Sequence, residues 1–437
     1  MKRLISNFLT IIRETLTTIT SRQKLKRLAS TSLYRNAVYL MLNRAITSLL
    51  GFFFWMIVAR YYTEGAVGYS SAIISAISLL AMISMVGLNS TLIRFLSQAE
   101  RPHDLINSCS TISGLFSVVI AIIFIIGLGF WSPALAFIKG NSIFSLAFII
   151  FTALWTVSSL LNTVFIARRR SVFVLSKAII SSVLKLPLPI LLVSFFHSFG
   201  VVASWGIAAA IALSVSLLLF LPRIETGYKP APVLYIGIIK TIWKYSAGSY
   251  FANLLSTALQ FVLPLLVLNL LGAEQNAYFY IGWMIASLLF SIPQSVSTSL
   301  FAEGSHFEEK LRENVVKSFK FSFLLMIPSI IVLILAGKWL LLAFGHSYSL
   351  NALKLLWVLS ISGLPIIINR IYTSILRVEN RLKELIVTWG FITLSVLLAS
   401  YLIVPSIGIT GVGFAWLGTH TVVALYILTS RKLLVPK

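Results

Sequence analysis

Residues 105–130 read LINSCSTISGLFSVVIAIIFIIGLGF, 26 positions without one charged side chain. A helix needs about 20 apolar residues to cross a ~30 Å hydrocarbon core, so this stretch is long enough to span a bilayer. Its apolar residues run continuously instead of alternating, which excludes a membrane barrel built from ~10-residue strands. The same kind of stretch recurs along the chain. Of 437 residues, 58% are hydrophobic and only 11% are charged, against roughly 25% charged in soluble domains. So few charges could not cover the apolar surface of a soluble fold. The chain is read as an all-α polytopic membrane protein.

Twelve spans are expected, at about 36–59, 67–90, 105–130, 142–166, 171–196, 201–221, 241–270, 277–301, 316–337, 349–376, 383–404 and 410–430. This divides the chain into a basic N-terminal segment 1–35, an N-lobe 36–221 with six spans, a linker 222–240 and a C-lobe 241–437 with six more. Basic residues cluster before the first span, at Arg168–Arg170, at Arg223 and Lys229, at Lys310, Arg312 and Lys317, at Arg377, Arg381 and Lys383, and at Arg431 and Lys432. These clusters fall at every second connection. The positive-inside rule then places both termini in the cytoplasm and the chain in the cytoplasmic membrane. Within residues 4–19, Leu4, Ile5, Phe8, Leu9, Ile12, Leu16 and Ile19 share a helical face, followed by the basic run Lys24–Arg27. That pattern suits an interfacial helix on anionic lipids, with a solvated tail as the alternative. Arg13 interrupts the apolar run early, which argues against a cleaved signal peptide.

Cys109 is the only cysteine, so no internal disulfide forms, and no CxxC motif exists. The closest two histidines, His306 and His346, are 40 residues apart, which gives no metal-ligand spacing. No phosphate-cradling or nucleophile-elbow motif is present. The expectation is a transporter without cofactor or metal, not an enzyme, with lipid and no nucleic acid as its partner.

The two halves resemble each other. A shift of 210 residues superposes Asn43 on Asn253 and Glu64 on Glu274, within a shared order of long span, short acidic turn and polar-striped span. Six spans per half make the repeats run in the same direction, related by an axis along the membrane normal. The run Ala59-Arg60-Tyr61-Tyr62, with Gly68-Tyr69 following, resembles a signature near the start of Wzx-type polysaccharide flippases, as does Gly87-Leu88-Asn89 with Ile93-Arg94-Phe95-Leu96. Thr63 stands where that family often has glycine. These flippases belong to the multidrug/oligosaccharidyl-lipid/polysaccharide (MOP) flippase superfamily. The resemblance implies two six-helix lobes around a central cavity lined by spans 1, 2, 7 and 8.

Polar stripes at helical spacing mark those four spans: Asn36, Asn43, Arg44, Thr47 and Gly51; Ser71, Ser75 and Ser78; Ser246, Ser249, Asn253, Ser256, Thr257 and Gln260; Ser287, Ser291, Gln294, Ser295 and Thr298. Interhelical packing explains the serines equally well. The amides Asn43, Asn253, Gln260 and Gln294 are assigned to the cavity. Cations inside spans are the sharper signal, since each costs at least ~2.5–3.5 kcal/mol at the bilayer centre. They are Arg44, Lys185 (on one face with Lys177 and Ser181), Arg370 and, at a span end, Arg94. All twelve acids lie in loops, tails or span ends. Deep cations without a carboxylate partner suit a phosphate arriving from outside the chain. The substrate that the resemblance implies is a lipid-linked oligosaccharide on an isoprenoid phosphate or pyrophosphate, flipped by alternating access, with Tyr250 and Trp283 against sugar. A glycan polymerase or glycosyltransferases of the same route are the matching partners. The alternatives are a drug/cation antiporter of the same superfamily, which would need a buried acid, and a membrane-embedded glycosyl- or acyltransferase using His103-Asp104 or Glu303 with His306.

Overall fold

The computed structural model describes residues 32–196, 199–234, 236–306 and 311–430. The amphipathic segment 4–19 lies outside the described residues, as do Lys24–Arg27, Lys310, Arg431, Lys432 and the side chains of Asn36, Ser246 and Ser249.

In lipid the backbone must satisfy its own hydrogen bonds, and a chain without closed strands does so as helices. The helices are α1 (Ser32–Tyr61), α2 (Glu64–Ser84), α3 (Pro102–Ile126), α4 (Ser142–Ala167), α5 (Val172–Leu184), α6 (Leu188–Phe196), α7 (Phe199–Val215), α8 (Ile236–Leu271), α9 (Ala273–His306), α10 (Leu311–Leu342), α11 (Leu353–Val378), α12 (Leu382–Ile407) and α13 (Thr410–Thr429). Eleven described helices are long and apolar enough to cross a membrane. The expected fifth span is instead two short helices, α5 and α6, separated by a turn at residues 185–187. Pro187 and Pro189, two positions apart, remove two amide donors in succession and crowd the carbonyls four residues back. Single prolines in α8, α9, α10, α11 and α12 leave those helices continuous. The second span also ends earlier than the apolar pattern suggests, at Ser84. Val86 and Gly87 then take positive φ values of 43° and 81° and redirect the chain into a short helix, Leu88–Phe95.

Helices α1–α7 pack as one lobe and α8–α13 as the other. Within the first, α1 lies on α5 and α3 on α4; within the second, α11 sits among α9, α10 and α13, and α8 lies on α12. The connecting segment is pinned to the first lobe. Arg168 pairs with Glu225, Tyr228 Oη donates to Asn107 Oδ1 at 2.5 Å, and Asn107 Nδ2 donates to the Lys229 carbonyl at 3.0 Å. Burial pushes the Tyr228 phenol up to about 12, so it stays a donor throughout the neutral range.

Between the lobes, α2 packs against α8 and α9, and the contact is closest at the end away from the basic connections. Asn276 Nδ2 donates to the Gly68 carbonyl at 2.7 Å and to Ser71 Oγ at 3.2 Å. Arg60 donates to the carbonyls of Ala343 and Leu342, both at 3.0 Å. Asn269 Nδ2 reaches Ser132 Oγ at 3.0 Å, and its Oδ1 accepts from the Ala134 amide at 3.1 Å. Trp55 of α1 meets Tyr280 of α9 with centroids 4.7 Å apart. The half of the lobe interface away from the basic connections is therefore sealed. The repeat signature acquires a local reason here: Glu64 and Glu274 sit in the first turns of α2 and α9, where a carboxylate complements the helix dipole, and Thr63 caps the Ala66 amide at 3.3 Å.

Gly68 is what permits this approach, because a Cβ there would lie 1.7 Å from the Ala273 carbonyl oxygen. Gly65, one turn earlier on the same helix, has nothing within 4 Å of such an atom. Gly68→Ala is expected to destabilise the sealed state by about 1–3 kcal/mol or more, while Gly65→Ala stays near neutral. Thermal melts of both variants, with cross-linking of a Ser71→Cys/Asn276→Cys pair in a Cys109→Ala background, check this; equal behaviour would remove the close-approach explanation.

Candidate functional site

Inside the seal the lobes part around a cavity of about 770 Å³ lined from α1, α8, α9, α11, α12 and α13. The polar stripes of α8 and α9 face it: Asn253, Ser256, Thr257 and Gln260 from α8, and Ser287, Ser291, Gln294 and Ser295 from α9. These spacings of three and four turn one face of each helix inward, and the opposite faces carry the apolar residues of the C-lobe core. From α1 come Met41, Arg44, Ala45 and Ser48.

Arg370 and Arg377 enter from α11, seven residues apart and so two turns along one face. The Arg370 guanidinium lies 4.5 Å from the Trp389 ring centroid, a cation–π contact that holds it while leaving its N–H groups for the cavity. Arg377 Nη2 donates to Asn253 Oδ1 at 3.2 Å, linking α11 to α8. The nearby carboxylates are already engaged: Arg381 pairs with Glu379 at 2.7 Å and with Glu384 at 2.6 Å. Those two carboxylates, Glu379 first, raise the Arg381 affinity for its proton further. Among the described lining residues there is no acid, so Arg44, Arg370 and Arg377 face the space without a carboxylate partner.

The cavity carries aromatic side chains as well. Trp416 meets Trp283 edge-on at 4.8 Å and Phe290 at 6.0 Å, and its other neighbour is His420 at 4.7 Å. His420 is held by Asn369, whose Nδ2 lies 2.9 Å from Nδ1 and 3.0 Å from the carbonyl.

The site residues read from sequence separate into three places. Arg44, Asn253, Gln260, Gln294 and Arg370 share the central cavity. Asn43 and Lys185 line a second, smaller cavity of about 170 Å³ inside the N-lobe, with Lys177. Asn43 and Arg44 are adjacent on α1, and the 100° turn per residue sends them to different cavities. Arg94 sits exposed in the last turn of the short helix at the basic end, 5.6 Å from the Phe95 ring centroid, and lines neither cavity. The expectation that span 2 lines the central cavity is corrected. Ser70, Ser71 and Ser75 are buried, Ser70 and Ser71 donate to carbonyls of their own helix, and α2 fills the lobe interface instead. Tyr250, expected against sugar, bridges the lobes through a 2.7 Å bond to the Ile83 carbonyl. The residues that sequence reasoning missed are Arg377, Trp389, Trp416 and His420. Arg377 was legible as the two-turn repeat of Arg370; the other three belong to spans without a polar stripe.

No family model matches the sequence. A stretch of 125 residues, 28% of this chain, is 26% identical to a Shigella flexneri protein named provisionally as an O-antigen transporter, and spans about 30% of that relative's length. The fold is similar to the lipid II flippase MurJ in an inward closed conformation, with a TM-score of 0.71, 16% identity, and 91% of this chain covering 87% of that one. An inward-facing multidrug resistance MATE family transporter gives 0.65 at 15% identity, covering 91% and 97%. A MOP superfamily transporter from Pyrococcus furiosus, described as having a binding pocket of reversed polarity, gives 0.61 at 16%, covering 92% and 94%. The chain is a multi-pass helical membrane protein with the fold of the MOP flippase superfamily, the superfamily whose polysaccharide members its sequence motifs resemble.

Proposed function

We propose that the central cavity carries the phosphate-linked head of a lipid-linked oligosaccharide across the membrane while the isoprenoid tail stays in lipid. The observation that carries this reading is the trio Arg44, Arg370 and Arg377 facing one cavity with no acid among its described lining residues. Guanidinium forks match phosphate oxygens geometrically, and low dielectric strengthens the attraction. Amides and hydroxyls of the α8 and α9 stripes are suited to sugar hydroxyls, and the Trp283, Phe290 and Trp416 rings to the flat faces of pyranoses. The volume falls within the ~300–1,000 Å³ of ordinary ligand pockets.

The tail has a way to remain outside. α1 packs mainly along α5 of its own lobe, and it lines the cavity together with α9. Met41, Leu49 and Leu288 are exposed there, so an apolar chain can lie in that seam while the head sits between the lobes. The basic end faces the cytoplasm by the positive-inside rule, which makes the captured state inward-facing and the direction outward. Anionic inner-leaflet lipids, and enzymes that build or polymerise the glycan, are the partners this reading implies. A cation or drug antiporter is disfavoured by three unpaired cations in the cavity.

Two outcomes test the reading. In proteoliposomes with a fluorescent isoprenoid-pyrophosphate glycan, Arg370→Ala and Arg377→Ala are expected to lower flipping at least tenfold, and the lysine variants to keep part of it because charge remains but the fork is lost. Normal rates per folded molecule in both alanine variants would end the phosphate assignment. An inside-negative potential contributes ~2.3 kcal/mol per charge per 100 mV toward outward movement of an anion. Flipping is therefore expected to speed up when a potassium diffusion potential is imposed at constant pH. Dependence on a proton or sodium gradient, with no response to potential, would overturn this energetic account.

A further inference from the structure

The smaller cavity lies between α1, α4, α5 and α7, wholly inside the N-lobe. Lys177 of α5 is 6% exposed. It donates to Ser158 Oγ at 2.8 Å and to the Ser158 carbonyl, which leaves a third N–H. Lys185, eight residues on, lies where α5 breaks. Its ammonium is 5.2 Å from the Phe54 ring centroid and has no hydrogen-bond acceptor among the described residues. The Oδ1 atoms of Asn43 and Asn162 are buried in the same lining and meet no donor. None of the described residues lining the space from these four helices is acidic.

Two ammonium groups in a lobe interior without a carboxylate are expensive, ~2.5–3.5 kcal/mol each even on insertion scales. Burial of this kind persists where something compensates it. At about 170 Å³ the space is far too small for an oligosaccharide head, and it holds one small ion with a few waters at about 30 Å³ each. An anion would accept from Lys177 and Lys185, and its waters would donate to the two orphaned amide oxygens. We propose that this pocket is a second anion site, separate from the head-group cavity and fitted to a small inorganic anion such as chloride or phosphate.

The test is a thermal melt of the purified full chain in nanodiscs at fixed pH and ionic strength, with sodium gluconate exchanged stepwise for chloride or phosphate. A saturable rise in Tm of about 2 °C or more is expected for an ion that binds the folded state. Phosphate also meets the three central arginines, so the rise has two parts. Lys185→Met should lower it, Lys185→Arg should keep it, and Arg370→Ala should keep the part that Lys185→Met removes, whatever becomes of transport. Identical melting in all three salts, an undiminished rise in Lys185→Met, or its loss in Arg370→Ala would each overturn the proposal. If Lys185→Met does not fold, crystals of the unaltered protein grown in bromide decide the matter. Anomalous density between Lys177 and Lys185 supports the site, and its absence at saturating bromide refutes it.

Discussion

Arg370 lies on α11 two turns inside the span from Arg377, which sits in the helix's last turn at the basic end, and no carboxylate among the described lining residues answers either of them. That arrangement survives only where water or a ligand reaches them, because an unpaired cation dissolved in lipid costs several kcal/mol. The rest of the structure follows from this demand. The cavity must stay open to water, even though α2 and α8 still meet near the basic end through Tyr250 and the Ile83 carbonyl, and the lobes must close at the other end to keep the barrier. Hence the polar faces of α8 and α9 can turn away from lipid, and α11 can carry charge while its opposite face stays in the C-lobe core. The ion-paired turn at Arg381, Glu379 and Glu384 contributes by keeping both acids at the surface, away from Arg377.

Much of this was legible in the sequence. Apolar length was enough for the helices, since it reflects the bilayer itself and not neighbouring side chains. The stripes on α8 and α9 were legible because helical periodicity and cavity exposure coincide there. What periodicity does not tell is what a polar face meets. Span 2 has a serine stripe of the same kind, yet Gly68 and Ser71 sit against the start of α9 and Asn276. A stripe of small residues fits a close helix contact as well as it fits water. Depth alone misled in a similar way for Lys185: its position past mid-bilayer pointed to the transport path, whereas the rotation of α5 points it into the N-lobe.

The break between α5 and α6 joins these observations. A continuous fifth span would carry all its carbonyl groups into the i–4 ladder. The pair Pro187 and Pro189 interrupts the ladder beside Lys185, and Tyr62 at the end of α1 donates to the Pro189 carbonyl at 2.7 Å. The same interruption is thus tied to the helix whose end away from the basic connections, through Arg60, holds the seal. The N-lobe pocket and the lobe interface share α1 as a wall.

The seal itself is made mostly of neutral polar contacts. Its polar contacts are amide-to-carbonyl or amide-to-hydroxyl bonds from Asn276 and Asn269, with one guanidinium, Arg60, on two carbonyls. Neutral bonds of this kind contribute about 0.5–1.5 kcal/mol each, and one to a charged group about 1.5–3 kcal/mol. Four neutral bonds and two from the guanidinium sum to roughly 5–12 kcal/mol, before the packing of Trp55 on Tyr280 and the contact at Gly68 are added. Separating asparagines and backbone carbonyls exposes groups that water satisfies at once. An interface of that strength can be shifted by the differential binding of one ligand, since moving an equilibrium from 1:99 to 99:1 takes about 5.5 kcal/mol. On the proposed reading, a phosphate head held more tightly by Arg44, Arg370 and Arg377 in one arrangement of the lobes than in the other is the ligand that would shift it.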